Sequence, residues 1–256
     1  MTDVRSMPAP PTHRSEAYHS EAYRSEAGRY DRRTDAFRHW RELLIQQLPL
    51  RRGDTVLDVG CGTGLCLPLL QHKIGPTGSI IGIDASEQML QVAADRVAAH
   101  GWDNVRLIAA PVATAPIQAT ADAAVFCAVH DLMQCPAALC NVLDHLRPNA
   151  PVVAAGGKRP GPWMWPLQAW VTQLHAPFIT DFTDFDQPWR QLARHIPDLQ
   201  VRELTFGVGY VALGHAHSSG PRTDAPAGQR PTSRGADRDS ALPRHRAPSR
   251  YSEGPP

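Results

Sequence analysis

The sequence lacks the features that mark membrane-spanning, secreted or nucleic-acid-binding proteins. In its 256 residues no apolar run approaches the roughly 20 residues of a transmembrane helix. The polar opening MTDVRSMPAP has no apolar core of the kind found in secretory signals. The formal net charge is +1, from 26 basic and 25 acidic residues, so no basic excess predicts nucleic-acid binding. We therefore expect a cytoplasmic protein that does not bind nucleic acid.

Cysteine is scarce and its spacing is irregular. The five cysteines are Cys61, Cys66, Cys127, Cys135 and Cys140. Their number is odd, and no two have the two-residue spacing typical of zinc-binding or redox pairs. Several lie in apolar segments, where cysteine usually packs as a small core residue. These observations predict reduced thiols, no disulfide framework and no metal site.

Composition divides the chain into three regions. Residues 1–28 are polar and loosely repeat Ser-Glu-Ala, which predicts a flexible N-terminal arm. Residues 215–256 are rich in Pro, Gly, Ser and Arg and have almost no large apolar side chains. Such a segment cannot bury enough surface to offset the entropy of ordering, so it predicts a disordered tail. Residues 29–214 are then the folded domain.

Within that domain, short apolar runs alternate with amphipathic stretches. The runs predict strands at 55–59, 79–84, 105–109, 121–129 and 151–155, and the stretches predict helices at 65–73, 87–100 and 136–146. Ser86 is a typical N-cap, and Gly101 a typical C-terminal glycine, for the second helix. Strands separated by helices predict an α/β fold with a doubly wound, mostly parallel sheet. The runs LQVRELTFG and VGYVALG, which meet at Gly207, predict an antiparallel hairpin at the C-terminal edge.

A glycine-rich turn follows the first predicted strand. In VLDVGCGTGL, Gly60, Gly62 and Gly64 allow the backbone to turn sharply and approach a ligand closely. Asp58 lies two residues before this loop. Asp84 ends the second strand, where a carboxylate can receive ribose hydroxyls. Since ligands of doubly wound sheets bind at the carboxyl ends of strands, these residues indicate a nucleoside-containing cofactor.

Two cofactors compete for this loop. The dinucleotide fingerprint is G-x-G-x-x-G, but here Leu65 stands where the third glycine belongs. Asp58 would repel a pyrophosphate, whereas it would attract an ammonium or a sulfonium group. S-adenosylmethionine carries both cations and no phosphate. The acid before the loop therefore favours S-adenosylmethionine over NAD.

The segments VLDVGCGTG and IGIDAS closely resemble the first two motifs of the class I S-adenosylmethionine-dependent methyltransferases. The resemblance covers about residues 30–157, and FCAVHDLMQCPAALCNVLDHLRPNAPVV is similar to that family's fourth strand, helix and fifth strand. It implies a Rossmann-like methyltransferase fold. Two segments depart from the family pattern. Pro148-Asn149-Ala150 replaces the usual Pro-Gly-Gly, and Ala110-Pro111-Val112 occupies the site where many members place an acid near adenine.

The resemblance also implies which residues hold the cofactor. Residues 60–64 would pack against its methionine part, with Asp58 and Cys127 nearby, and Asp84 would take the ribose. Adenine would be bordered by residues after the second and third strands. The implied cofactor-binding residues are Asp58, Gly60, Cys61, Gly62, Thr63, Gly64, Asp84, Ala85, Met89, Pro111, Val112 and Cys127. A turn cap is the alternative for Asp58, and a core thiol the alternative for Cys127.

Residues around the expected pocket mouth bear on the methyl acceptor. His130 directly follows the fourth strand and could be a general base, or could simply bond to loop backbone. Trp163, Trp165 and Trp170 could enclose an apolar or aromatic acceptor, or a cationic amine through cation–π attraction. They could also belong to a helix that packs on the sheet, or rest weakly on a membrane surface. Before the first strand, YDRRTDAFRHWRELLIQQL predicts a helix that could place Tyr30 at the pocket.

The function that these patterns favour is methyl transfer from S-adenosylmethionine to a small acceptor that is apolar or aromatic. The Asn-Pro-Pro-Tyr motif of nucleic-acid N-methylation is absent after the fourth strand, so chemistry on DNA adenine is not expected. The alternative is a non-catalytic, regulatory protein that binds S-adenosylmethionine, because a cofactor site does not establish chemistry. A nicotinamide oxidoreductase is disfavoured by the missing third glycine.

Overall fold

The computed structural model describes residues 31, 34, 37–176 and 179–217. The arm expected at 1–28, Tyr30, and nearly all of the tail expected at 215–256 lie outside the described residues. The helices are α1 Arg38–Gln47, α2 Leu67–Ile74, α3 Glu87–His100, α4 His130–Met133, α5 Pro136–Leu143, α6 Trp165–His175 and α7 Arg190–His195. The strands are β1 Thr55–Val59, β2 Ser79–Asp84, β3 Val105–Ala109, β4 Ala123–Cys127, β5 Pro151–Gly157, β6 Gln200–Leu204 and β7 Gly209–His215.

The strands form one seven-stranded sheet in the order β3-β2-β1-β4-β5-β7-β6. Strands β1 to β5 are parallel, while β7 pairs antiparallel with both β5 and β6. The predicted α/β class, the mostly parallel doubly wound sheet and the antiparallel C-terminal hairpin are therefore confirmed. The chain runs from β1 outward to β3 and then returns to β4 on the other side of β1. This reversal opens a crevice at the carboxyl ends of β1 and β4, where such folds bind ligands.

Successive side chains of β1 point to opposite faces of the sheet. Leu57 and Val59 pack into the core on one face. Val56 packs on the other face, against Leu44 of α1 and Leu70 of α2. Because side chains alternate along a strand, Asp58 shares the face of Val56 and points toward the layer that holds α1 and α2.

Local signals account for the helix that follows β2. The Ser86 hydroxyl accepts a hydrogen bond from the Met89 amide at 3.4 Å, as an N-cap does, and Gly101 closes α3 in the left-handed conformation with φ of 64°. Both assignments agree with the sequence prediction.

Several predicted element ends were wrong by one to three residues, and three of them have a clear local cause. The helix after β1 begins at Leu67 rather than 65 because residues 62–66 form a turn. The fourth strand is shorter than 121–129, since Ala128 adopts a positive φ of 57° that no strand continues through. Helix α5 ends at Leu143 rather than 146, because the His145 amide turns back to the Val142 carbonyl and Leu146 then bridges to Ala121.

Within the described ranges, no helix is long and apolar enough to cross a bilayer. The same residues hold no group of three or more His, Cys, Asp or Glu arranged to bind a metal ion.

Candidate active site

A cavity opens at the carboxyl ends of β1, β4 and β5, under residues of α1 and α6. The predicted site residues on its wall are Asp58, Gly60, Cys61, Gly62, Thr63, Cys127 and His130. The chain thus brings together the acid before the glycine loop, most of that loop, and the ends of the fourth strand and the following turn.

The glycine loop has the backbone geometry that its composition predicted. Gly60 has a φ of 65°, and a Cβ there would lie 2.5 Å from Cγ1 of Val129, so only glycine fits without displacing that side chain. Gly62 has a φ of 54° but nothing lies within 4 Å of its Cβ position. The loop is therefore closely packed at Gly60 and open at Gly62, on the cavity side.

Asp58 is the most unusual electrostatic feature of the cavity wall. Its side chain is 1% exposed, and Oδ2 has no hydrogen-bond partner within the described part of the chain. Burial, assisted by repulsion from Asp84, raises the pKa of Asp58 to about 7. A buried acceptor without a partner is costly, and a cation bound beside it would satisfy it and restore the charged form. The site therefore fits a ligand with a positive charge near β1.

Asp84 ties the loop to the start of α3. Its Oδ2 accepts a hydrogen bond from the Gly62 amide at 2.9 Å, and its Oδ1 accepts one from the Ser86 amide at 2.8 Å. The carboxylate is half-buried beside Gly62, which itself lines the cavity. Asp84 thus lies where the second predicted acid was expected, next to the glycine turn.

The remaining predicted cofactor-binding residues do not line the cavity. Ala85 follows β2 and is half-buried. Met89 belongs to α3 and its side chain is 2% exposed. Pro111 is half-buried at the start of the short turn Val112–Thr114, while Val112 is buried in the core. Gly64 is also buried, with a φ of 77° and its Cβ position against Leu67.

An asparagine that no sequence motif indicated holds this turn in place. Nδ2 of Asn141, in α5, donates hydrogen bonds to the carbonyls of Val112 at 2.7 Å and Ala115 at 3.1 Å. These two bonds hold the turn after β3 against α5.

Three thiols border the cavity, namely those of Cys61, Cys66 and Cys127. None of the five cysteines forms a disulfide bond within the described residues. Burial raises the pKa of Cys61, with the Asp58 and Asp84 charges adding to the effect. A hydrogen bond with Cys127, followed by burial, raises the pKa of Cys66 well above its ordinary value. Thiols with raised pKa values stay protonated, so Cys61 and Cys66 act here as neutral wall groups rather than nucleophiles.

His130 begins α4 and is 8% exposed. Its Nε2 lies 3.2 Å from the Asp181 carbonyl, which can only accept, so Nε2 carries the proton. Nδ1 is buried without a partner among the described residues. Burial lowers the pKa of His130, against the opposing charge of Asp131, which favours the neutral imidazole.

Several cavity residues come from segments far apart in the sequence. They are Phe37, Trp40 and Arg41 from the N-terminal side, His175 and Ile179 at and beyond the end of α6, and Tyr210 of β7. Phe37 and Trp40 had helical spacing in the sequence, but no motif indicated Arg41, His175 or Tyr210. Burial raises the pKa of Tyr210, with a further contribution from Cys127, so its phenol stays neutral.

The tryptophan-rich segment does not pack on the sheet through its rings. Trp163, Trp165 and Trp170 are 74%, 73% and 58% exposed. The opposite side of α6 is buried, through Val171 against Ile179 and Phe185. None of the three rings packs into the core or lines the cavity, so any packing of this segment as a helix is through the Val171 side of α6.

The middle of the chain matches one family model. Residues 56–149 match the family model described as "Methyltransferase domain". The demethylmenaquinone methyltransferase of Geobacillus kaustophilus is 39% identical over 84 residues, which are 31% of this chain and 36% of that protein. The chain spans about a third of the length of the curated relatives that it matches.

Solved structures share the fold at low sequence identity. A SAM-dependent methyltransferase from Aquifex aeolicus superposes with a TM-score of 0.55 at 20% identity, covering 75% of this chain and 98% of that one. The [4+2]-cyclase SpnF superposes with a TM-score of 0.56 at 16% identity, covering 83% and 98%. At these identities the likeness shows the fold alone. The second neighbour is named a cyclase rather than a methyltransferase, so the fold by itself does not establish methyl transfer.

Proposed function

We propose that this chain is a class I S-adenosylmethionine-dependent methyltransferase and that it transfers the methyl group of S-adenosylmethionine to a small apolar or aromatic acceptor. The observation that carries the proposal is the buried Asp58 carboxyl, whose Oδ2 lacks a partner beside an open glycine loop. Such a group fits the cationic methionine end of this cofactor, and it would repel a pyrophosphate.

Residues on and next to the cavity wall supply groups for the other parts of the cofactor. Asp84 would receive the ribose hydroxyls beside Gly62. Arg41, a guanidinium on the same wall as Asp58, would pair with the cofactor carboxylate. Ala85 and Pro111 would border the adenine edge, backed by the buried Met89 and Val112.

When bound, the cofactor supplies a methyl group on a sulfonium, which is already a good leaving group. The protein residues then have two tasks, to hold the acceptor in line and to exclude water. The apolar part of the wall, formed by Phe37, Trp40 and Tyr210 with the neutral thiols, suits both tasks for a flat ring. A relative named demethylmenaquinone methyltransferase supports an acceptor of the quinone type.

We further propose that the exposed tryptophans rest weakly on a membrane surface, because indole rings favour the boundary between water and lipid. Flotation of the protein with vesicles of neutral and of anionic lipid tests this. Replacing Trp163, Trp165 and Trp170 with serine should abolish flotation. Equal flotation of the wild type and this variant would contradict it.

The alternative is a protein of this fold that binds S-adenosylmethionine without transferring its methyl group. The structural neighbour named as a [4+2]-cyclase supports this alternative, because its name is not that of a methyltransferase. Two measurements separate the candidates. Calorimetry with S-adenosylhomocysteine should give binding that Asp84→Ala weakens, and tritiated cofactor added to a cell extract should yield labelled small molecules. Binding without label supports the alternative, and absence of binding in the wild type overturns both.

A further inference from the structure

His175 ends helix α6 and projects into the cavity that holds Asp58. Its Nδ1 lies 2.9 Å from the Val171 carbonyl, four residues earlier. A carbonyl only accepts hydrogen bonds, so Nδ1 carries the proton and Nε2 keeps its lone pair. The helix end therefore fixes the tautomer that can act as a base through Nε2.

The bond to Val171 is by itself an ordinary helix-end feature. His100 and His145 make the same contact to carbonyls four residues earlier, at 2.8 Å and 2.7 Å. Neither of them lines the cavity, whereas His175 does. His175 therefore differs from His100 and His145 in the position of its second ring nitrogen, Nε2, at the cavity.

Gly157, the last residue of β5, makes room for that nitrogen. A Cβ at Gly157 would lie 2.1 Å from Nε2 of His175, far inside van der Waals contact. Gly157 lines the same cavity, so Nε2 sits directly over the carboxyl end of β5. Any larger residue at this position would displace the imidazole.

His130, which the sequence selected as the base, is less well placed. Its own unprotonated nitrogen, Nδ1, is buried with no solvent contact. The Phe185 ring contacts both imidazoles, with ring centroids 5.2 Å from that of His130 and 5.4 Å from that of His175. His175 is half-buried on the cavity wall, and Phe37 covers it at 6.2 Å. Burial lowers the pKa of His175, against the bond to Val171, so it is neutral and ready to accept a proton.

We propose that His175 is the catalytic base of this site and that it takes the proton of a phenolic hydroxyl on an aromatic acceptor. This inference deepens the proposed function and rests on it. In the step, the O–H bond breaks, the oxygen keeps the electron pair as a phenolate, and the proton forms an N–H bond at Nε2. The imidazolium returns the proton to solvent after methylation of the acceptor. The other titratable groups on the cavity wall are Arg41, Asp58, Cys61, Cys66, Cys127, His130 and Tyr210.

The test uses para-nitrophenol as a probe, because only its ionised form absorbs visible light strongly. The full-length protein, saturated with S-adenosylhomocysteine, is titrated with the phenol below the pKa of the free compound. Wild type should ionise bound phenol and develop the phenolate absorbance. His175→Asn should lose that absorbance, since asparagine keeps a donor for the Val171 carbonyl but has no group equivalent to Nε2. His145→Asn, which changes the same local motif outside the cavity, should behave as wild type.

A second variant tests the same proposal in case His175→Asn does not fold. Gly157→Ala should reduce phenolate formation by displacing the imidazole while His175 itself is retained. Calorimetry with S-adenosylhomocysteine, done on each variant, reports whether the cofactor site is intact. Unchanged absorbance in His175→Asn, or no phenol binding to the wild type, overturns the proposal for His175. Absence of cofactor binding to the wild type would instead overturn the proposed function, so the two failures are distinguishable.

Discussion

At the scale of single residues, Asp58 links the ionisation of the site to its ligand. The unoccupied carboxyl has a pKa of about 7 because it is buried and lies near Asp84. A bound ammonium or sulfonium would stabilise the charged form, so binding should release a proton from Asp58 below that pH. We expect the affinity for S-adenosylhomocysteine to rise as pH rises through about 7. In Asp58→Asn the affinity should be lower and nearly independent of pH over this window, as calorimetry at several pH values can show.

The same group has a predictable effect on stability without ligand. Between the ordinary pKa of 3.8 and about 7, the folded chain keeps a proton that the unfolded chain releases. The contribution of Asp58 to the free energy of unfolding therefore falls as pH rises through this window. Asp58→Asn lacks that contribution, so wild type should lose stability relative to the variant over the window. A constant difference in urea denaturation would contradict the raised pKa.

The glycine loop allows packing and backbone strain to be separated. Both Gly60 and Gly62 have positive φ, so alanine at either should cost about 1–2 kcal/mol. Only at Gly60 does the new Cβ also meet Val129 and Leu132, at 2.5 Å and 2.8 Å. Gly60→Ala should therefore lose about 1–3 kcal/mol more than Gly62→Ala in chemical denaturation. Equal losses would mean that the loop relaxes away from Val129.

At the scale of helices and strands, the sequence predicted what local chemistry determines. Strands β1, β2 and β3 and both ends of α3 follow from apolar runs, a serine N-cap and a C-terminal glycine. The end of β4 could not be predicted in this way, because alanine carries no turn signal and Ala128 takes a positive φ only in its tertiary setting. The role of Asn141 was missed for a related reason, since its partners are 29 and 26 residues away.

The contact between α5 and the turn after β3 gives a prediction at this scale. Asn141→Leu would leave the carbonyls of Val112 and Ala115 unpaired and should cost about 1–3 kcal/mol of stability. Asn104→Leu is a matched control, because its Nδ2 donates to the Gly75 and Gly78 carbonyls before β2, at the opposite end of the strands. We expect similar losses of stability, but weaker S-adenosylhomocysteine binding, by roughly fivefold or about 1 kcal/mol, only in Asn141→Leu. Equal affinities of the two variants for S-adenosylhomocysteine would show that this turn does not contribute to the cofactor site.

At the scale of the whole molecule, the sheet order explains why a motif located the cavity but not its full wall. The glycine loop and Asp84 follow adjacent parallel strands, so their proximity was predictable from strand alternation alone. His175 and Tyr210 reach the same cavity only because α6 follows β5 and because β7 returns antiparallel beside β5. Neither has a sequence signal, since their placement depends on packing between segments more than 100 residues from the loop.

Because residues of β1, β4, β5, β7, α1 and α6 line the cavity, global unfolding destroys it, and a ligand that binds there must stabilise the entire domain. At about 100 times its Kd, S-adenosylhomocysteine should add about 2.7 kcal/mol to the free energy of unfolding. In a domain of this size that corresponds to a rise of about 5–10 °C in Tm. NAD should give no rise, since Asp58 opposes its pyrophosphate. Asp84→Ala should reduce the rise at the same ligand concentration, and a larger rise with NAD than with S-adenosylhomocysteine would assign the cavity to a dinucleotide.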